Sequence, residues 1–533
     1  MSDWWKDAAI YHIYPRSFQD TNGDGIGDLP GITQRLDYLS WLGVDALWMS
    51  PVYPSPMADF GYDVSDHCDI DPMFGTLADM DALIAKAHRL DLKVIMDFVP
   101  NHTSDEHPWF QASRSSRDSP KRDWYYWKDP GPNGGPPTNW LSRFDGESAW
   151  AWDEATEQYY LHTFLKKQPD LNWRNPEVRE AMCDVLRFWF DRGIDGFRVD
   201  VAYRVMKDPD FRDNPVNPDW TPDMDPSFRV HETRTKNIRD AHRFNRWIRS
   251  VADEYDDRVL VGEMNLKIPE LVDHYGTPEA PEFHLPFNFR LVFSPWTAEN
   301  VRALVDEYEA ACPDHGWPNW VLSNHDQPRF ATRAGRAQAR CGALFVLTVR
   351  GTPTLYYGDE LGMQNVDIPR EQVQDPWEVL SPGLGLGRDP ERTPMRWDAT
   401  EHAGFCPPDA DPWLPVGASA RVQNVALQRK DDASMLRFVK RLLALRSEHH
   451  ALRRGTCRTL TAPNEVLLYE RAGEADRFFV ALNFSGSAQT VALPQPAQRL
   501  LSTRMDTADV SVETQLSLRP NEGVLLRAET NRP

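Results

Sequence analysis

Short apolar runs alternate with amphipathic helical stretches along most of the chain, and this alternation restricts the possible folds more than any other feature. Residues 8–14 read as a strand. Ile32, Leu36, Leu39 and Leu42 recur at helical spacing, and a second strand follows at 44–49. A helix over 80–90 then leads to a strand at 93–98. Strands that are apolar throughout, each followed by a helix, imply a parallel sheet covered by helices. Further on come helices at 176–191, 237–254, 298–311 and 335–349, and strands at 194–201, 259–262, 320–323 and 354–357. A weaker signal at 283–289 supplies one more strand. Eight strands close a barrel, so the predicted class is α/β, a (β/α)8 TIM barrel.

The alternation breaks between the third and fourth strands. Residues 103–173 are rich in Trp, Tyr, Pro, Gly and Asp, with the tract DPGPNGGPPTNW and the strand-like EQYYLHTF. A structureless loop of that length is improbable inside a compact domain, so an inserted subdomain is predicted there. After a helix at 434–448 the pattern changes to short alternating runs (EVLLYERA, RFFVALNF, EGVLLRAE) with turn signals between them. The expected organisation is a barrel formed by 1–102 and 174–451, an inserted subdomain at 103–173, and a C-terminal β-sandwich domain at 452–533. Two long βα loops, 202–232 and 363–415, should rise over the carboxyl-end face of the barrel.

Charge narrows the partners. Eighty acidic residues against 59 basic ones give −21, and no Lys/Arg cluster of the kind a nucleic-acid backbone needs is present. The six cysteines (Cys68, Cys183, Cys312, Cys341, Cys406, Cys457) are widely spaced, which suits reduced thiols in a cytoplasmic protein. The first strand starts too early for a signal peptide, and no apolar run approaches a membrane span. The expectation is therefore neither a nucleic-acid nor a membrane partner; oligomeric state is open.

The chemistry concentrates at strand ends. In GIDGFRVDVA, at 193–202, Arg198 and Asp200 stand two residues apart and leave the same face of a strand. Structural Asp–Arg pairs are common, so this pair alone decides nothing. Three more apolar runs also end in titratable side chains: DFVPNH at 97–102, VGEM at 261–264 and LSNHD at 322–326. A parallel barrel presents catalytic groups in this way. Cleaving a glycosidic bond takes two carboxyls in different roles. Arg198 favours an ionised Asp200, which suits a nucleophile. Glu263, on a short apolar strand, is expected to hold a proton and act as the acid. Asp326 could stabilise oxocarbenium charge, with His102 and His325 as hydroxyl-binding donors.

These four stretches, in this order, resemble the four signature regions of the α-amylase superfamily of glycoside hydrolases. The opening WWKDAAIYHIYPRSF, MADFGYDVSD, QPDLNW and ERTPMRWD are similar to the α-glucosidase and oligo-1,6-glucosidase branch. The resemblance implies Asp200 as nucleophile, Glu263 as general acid/base and Asp326 as transition-state stabiliser. It implies Asp59, Tyr62, His102, Arg198, His325 and Arg392 as substrate-binding residues, with Arg392 paired to Asp59 at the closed end of the pocket. Phe60 stands where the branch often has Asn. A closed pocket implies exo action on short α-glucosides or oligosaccharides, with retention and glucosyl transfer. A sucrose- or trehalose-converting member is the nearest alternative, and a non-catalytic sugar-binding member the alternative of another class. Val201, next to the nucleophile, implies α-1,6 activity at least comparable to α-1,4.

The loop DTNGDGIGD offers oxygen ligands at Asp20, Asn22, Asp24, the Ile26 carbonyl and Asp28, a set suited to Ca²⁺ or Mg²⁺. Gly31 stands where an EF-hand would need Glu, so a helix-loop-helix sensor is not expected. The resemblance implies a structural ion remote from catalysis. No organic cofactor is expected.

Overall fold

The computed structural model describes residues 3–506 and 510–529. Eight parallel strands form one sheet: β1 Ile10–Ile13, β2 Ala46–Met49, β3 Lys93–Phe98, β4 Gly196–Val199, β5 Val259–Met264, β6 Leu285–Asn288, β7 Asn319–Val321 and β8 Thr352–Tyr356. The ladder runs from β6 through β5, β4, β3, β2, β1 and β8 to β7. The remaining seam, between β6 and β7, is stitched by a side chain. Asn319 Oδ1 accepts the Asn288 amide at 2.8 Å, and its Nδ2 donates to the Pro286 carbonyl at 2.5 Å. β6, whose sequence signal is the weakest, is thus held on one edge by Asn319 rather than by a regular ladder.

A period of two sorts each strand's residues between two cores. Ile10, Ala46, Trp48, Ile95, Val259, Val261, Leu285, Phe287 and Val321 point inward and form the barrel's filling. Tyr11, Leu47, Met96, Phe197, Val199 and Leu260 point outward into the large core shared with the helices. The inward parity continues past the apolar layers to Asp97, Arg198 and Glu263. The barrel interior is therefore apolar low down and ionic at its carboxyl end.

Helix boundaries follow local chemistry. Asp28 caps Leu29–Leu42 by accepting the Gly31 amide, and Thr76 with Asp79 makes a capping box for Leu77–Arg89. The helix predicted over 237–254 is shorter, Ala241–Ala252, because Asn237 takes a left-handed φ of 48°. Residues 103–173 contain a three-stranded antiparallel sheet (Trp127–Lys128, Gln158–Leu161, Trp150–Asp153) over a cluster of Tyr126, Trp140, Trp150 and Leu161. Beyond 452, a six-stranded antiparallel sheet faces a two-stranded one. Val466, Leu468, Phe479, Ala481, Val524 and Leu526 pack between those sheets. Their alternates Leu467, Tyr469, Phe478, Val480 and Leu525 join the barrel's own core. All six cysteines are unpaired. Among the described residues no helix is long and apolar enough to cross a membrane.

Candidate functional site

Arg198 is the hub of the carboxyl-end face. Its Nη1 lies 2.7 Å from Asp97 Oδ1 and 2.9 Å from Asp200 Oδ1, and its Nη2 lies 2.6 Å from Glu263 Oε2. Strands β3, β4 and β5 are adjacent in register, with Asp97 opposite Arg198 and Arg198 opposite Val261, so the convergence is fixed by the ladder. The planar guanidinium fork suits such multiple carboxylate contacts. The next residue after Asp200 is strained. Val201 has φ 36° and ψ 40°, a region that costs a β-branched residue about 1–2 kcal/mol. The strain aims the Val201 amide at Glu263 Oε2, 2.8 Å away. Asp200 and Glu263 are therefore linked twice, through Arg198 and through the chain itself.

The facing wall comes from the loops after β2, β3, β7 and β8. Tyr62 Oη lies 3.0 Å from Asp97 Oδ2 and 2.8 Å from His325 Nε2, and its ring stacks on His325. His102 Nε2 meets the Tyr62 carbonyl at 3.1 Å and Gln168 Nε2 at 3.1 Å; Gln168 Nε2 also reaches Asp59 Oδ2 at 3.1 Å. The arginine beside Asp59 is Arg388, not the expected Arg392. Arg388 Nη2 lies 2.8 Å from Asp59 Oδ1 and 2.6 Å from Asp375 Oδ1, and its Nη1 lies 3.3 Å from Asp326. Arg392 is one turn further along the same bend. It donates through Nε to the His325 carbonyl at 2.7 Å and through Nη2 to Asp326 Oδ1 at 2.9 Å. It therefore positions Asp326 rather than closing the pocket against Asp59.

These groups line a cavity of about 420 Å³, within the range of roughly 300–1,000 Å³ usual for small-molecule pockets. Asp59, Tyr62, His102, Asp200, Glu263, His325, Asp326 and Arg388 all border it. Val201, Tyr203, Phe228, Phe289 and Phe293 also line it, with the pairs Arg204–Glu232 and Arg143–Asp225. A larger cavity of about 560 Å³ lies against the C-terminal sheet. Arg336, Arg340 and Arg504 line it, and among the described residues Asp431 is its one acid, so no described carboxyl pair faces it.

Burial dominates the electrostatics. It pushes Asp200 well above the usual carboxylate range, against Arg198, and Glu263, Asp97 and Asp326 push the same way. Asp97 is raised to about 6, again chiefly by burial. Arg198 opposes the rise, as expected, but one guanidinium is shared among Asp97, Asp200 and Glu263, and burial outweighs it at Asp200. Asp326 behaves in the opposite way. Burial raises it, but Arg388, Arg392 and Arg198 together outweigh burial and hold it below its ordinary value. Burial keeps His102 down at about 4 and His325 well below its usual value, so both meet a ligand as neutral imidazoles.

A family model for the α-amylase catalytic domain matches residues 12–455. The chain belongs to the α-amylase family. Among curated relatives of this α-amylase-family chain is a probable α-glucosidase from Rhizobium meliloti (strain 1021), 43% identical, covering 92% of this chain and 91% of the relative. Another is an oligo-1,6-glucosidase from Parageobacillus thermoglucosidasius, 38% identical over 97% of this chain and 98% of the relative. Among solved structures, an α-glucosyl transfer enzyme superposes with a TM-score of 0.94 at 40% identity, covering 99% of this chain and 100% of that one.

In this α-amylase-family protein the loop at 20–28 does not border the pocket. Asp20 accepts the Gly23 and Gly25 amides, Asp24 accepts the Ile26 amide, and Asp28 accepts Thr21 and Gly31. Asp20 is raised by burial, against the Gly23 and Gly25 amides, and further by Asp24 and Asp28. Oxygen ligands suit a hard divalent cation, but the Asp20, Asp24 and Asp28 carboxylates are not gathered within 4.8 Å of one another. Sequence reasoning passed over Asp97, Gln168, Asp375 and Arg388 as site residues. Asp97 and Gln168 sit inside quoted motifs, DFVPNH and QPDLNW, and were open to notice. Arg388 and Asp375 lie in a loop with no periodicity to orient them.

Proposed function

We propose that this enzyme cleaves terminal α-glucosidic bonds of short α-glucosides by double displacement, and passes glucose to acceptors as well as to water. The observation that carries the reading is one guanidinium, Arg198, bridging Asp200 and Glu263 at the mouth of a pocket whose far wall is the Asp59–Arg388 pair. Two carboxylates on one fork are close enough for retaining chemistry, which needs a separation of about 5–5.5 Å.

Atom roles follow from which oxygens are already engaged. Asp200 Oδ1 is held by Arg198, leaving Oδ2 to attack the anomeric carbon. Glu263 Oε2 takes Arg198 and the Val201 amide, leaving Oε1 to protonate the departing oxygen. Glu263 gives its proton to the departing oxygen and then takes one from the incoming water or sugar. Asp326, kept ionised by its arginines, stabilises the oxocarbenium charge, and neutral His102 and His325 bind hydroxyls.

The loop Asp20, Asn22, Asp24, Ile26 and Asp28 takes one Ca²⁺ or Mg²⁺ that acts on stability. Six free thiols fit a reducing, cytoplasmic setting. The deciding experiment is kcat/KM on isomaltose, maltose, sucrose, trehalose and soluble starch, for wild type and Val201→Thr. Isomaltose at least equal to maltose, with poor starch cleavage, is expected. Efficient starch cleavage would refute the closed pocket, and dominant isomerisation of sucrose would move the assignment to a sucrose-converting enzyme.

A further inference from the structure

On the outer wall of the barrel, the helix Ala241–Ala252 and the segment leading into β6 bring His242, His274 and Glu282 together, with one ligand atom from each within 4.8 Å of the others. Among the described residues no other trio of His, Cys, Asp or Glu is gathered in this way. None of the three borders the catalytic pocket. His242 Nδ1 lies 2.9 Å from Glu282 Oε2, and His274 Nδ1 lies 4.0 Å from the same oxygen. His274 and Glu282 are buried, while His242 borders an open cavity of about 370 Å³.

The surroundings prepare these atoms as ligands. Asn237 Oδ1 sits 2.9 Å from His274 Nε2. An amide oxygen only accepts, so Nε2 carries the proton and Nδ1 presents its lone pair toward Glu282. A fixed tautomer of this kind is what outer partners of metal-bound imidazoles provide. Asn245 adds a second indication. Its Nδ2 lies 2.7 Å from Glu282 Oε2 and 2.8 Å from His274 Nδ1, while its fully buried Oδ1 has no partner. Turning that amide over would give Oδ1 the central position. Without a cation the turn sets three acceptors against one another; with one, it supplies a fourth ligand.

We propose that His242, His274, Glu282 and the overturned Asn245 bind one borderline divalent transition-metal ion, such as Zn²⁺. Two imidazoles with a carboxylate suit Zn²⁺, Ni²⁺ or Co²⁺, whereas Ca²⁺ and Mg²⁺ take oxygen ligands. Metal–ligand bonds of about 2.0–2.2 Å require the wider pair to close by roughly 1 Å. His242 and His274 are stacked with ring centroids 4.6 Å apart, so His242 must tilt off the stack, which its place at the surface permits. As the ion enters, the hydrogen that now lies between His242 Nδ1 and Glu282 is given up and the neutral His242 ring carries its proton on Nε2 instead. Arg246, 3.1 Å from Glu282 Oε1, remains as the outer donor that orients the carboxylate. The ion would clamp the start of the helix to the approach of β6, the strand with the irregular seam.

The test is titration of chelator-stripped full-length protein with ZnCl₂ by calorimetry, beside His242→Ala and Glu282→Gln. Removing one ligand should weaken the tightest site about 100-fold or more. Co²⁺ should give d–d absorption bands of an imidazole-ligated site in wild type and not in His242→Ala. Hydrolysis of an α-glucoside should be unchanged in His242→Ala. His242 is partly exposed, so its truncation leaves the fold intact even if Glu282→Gln does not fold. Superimposable Zn²⁺ isotherms for wild type and His242→Ala, or no Zn²⁺ binding by wild type, would overturn the proposal.

Discussion

Replacing Arg388 by Met would remove the one guanidinium that holds three acids at the end of the pocket, while keeping its aliphatic stem. Asp375 would lose the Arg388 Nε and Nη2 contacts at 2.6–3.1 Å and keep the Arg388 amide at 2.7 Å. Asp59 would keep Gln168 alone, and Asp326 would keep Arg392. Removing one partner of a buried ion pair costs about 3–5 kcal/mol, because the other charge stays buried. An unfolding entropy of about 2.1 cal/mol/K per residue over 533 residues gives about 1.1 kcal/mol/K, so the melting temperature should fall by about 3–5 °C. Catalysis should suffer more. Asp59 and Asp326 both drift from the sugar, and losing a charge-assisted donor aimed at the reacting centre costs about 2.7–4 kcal/mol, or about 10²–10³ in kcat/KM. Arg388→Lys should recover part of the stability and little of the activity, since one ammonium cannot fork three carboxylates. The assays are a thermal melt and kcat/KM on a chromogenic α-glucoside. Near-wild-type values for both in Arg388→Met would refute the claim that this arginine builds the pocket's end wall.

Asp200→Asn should lose several orders of magnitude in turnover with an unchanged melt, and near-normal turnover by the pure variant would remove it as nucleophile. NMR of fresh product should show α-glucose first, with transfer product when an alcohol is added; β-glucose appearing first would exclude double displacement. Chelation should lower the melting temperature and added Ca²⁺ or Mg²⁺ restore it; elemental analysis without either ion, and no shift, would empty the Asp20–Asp28 loop. Buried His67 is held at about 4 by desolvation, below its ordinary 6.5, so it contributes stability that is present above about pH 6.5 and lost as pH falls toward 4. His67→Gln should flatten the acid limb of the stability curve by up to about 1.4 kcal/mol per pH unit, and an unchanged slope would contradict the buried neutral ring.

What the sequence made legible was whatever a period records. Strand 93–98 was bounded correctly because it is an apolar run buried along nearly its whole length, and helices 176–191 and 298–311 because burial cycles cleanly there. The inward parity that fills the barrel also carries Asp97, Arg198 and Glu263 to its rim, so the acid cluster could be read two residues at a time. Arg388 and Arg392 could not be told apart in that way. They lie four residues apart in a bend where both are buried, and only the tertiary position of Asp59, more than 300 residues away, decides which one meets it. The left-handed turn at Val201 was equally hidden, because local propensity opposes it and the surrounding ladder imposes it. β6 gave a faint signal for a related reason: a seam closed by Asn319 does not require a regular edge.

Asp59 and Arg388 wall the inner end of the pocket, and for an exo-acting enzyme that wall orders the traffic through it. Glucose freed at the bottom leaves only after the rest of the chain has backed out, so the enzyme cannot ratchet along a polymer. Each cut costs a fresh encounter, and the quantity that sets the rate is the molarity of chain termini rather than the mass of sugar. The acceptor that decides between hydrolysis and transfer enters by the same door, past Phe228 and Phe293. Water and alcohols therefore compete at a single threshold, in the interval after the first product has cleared it.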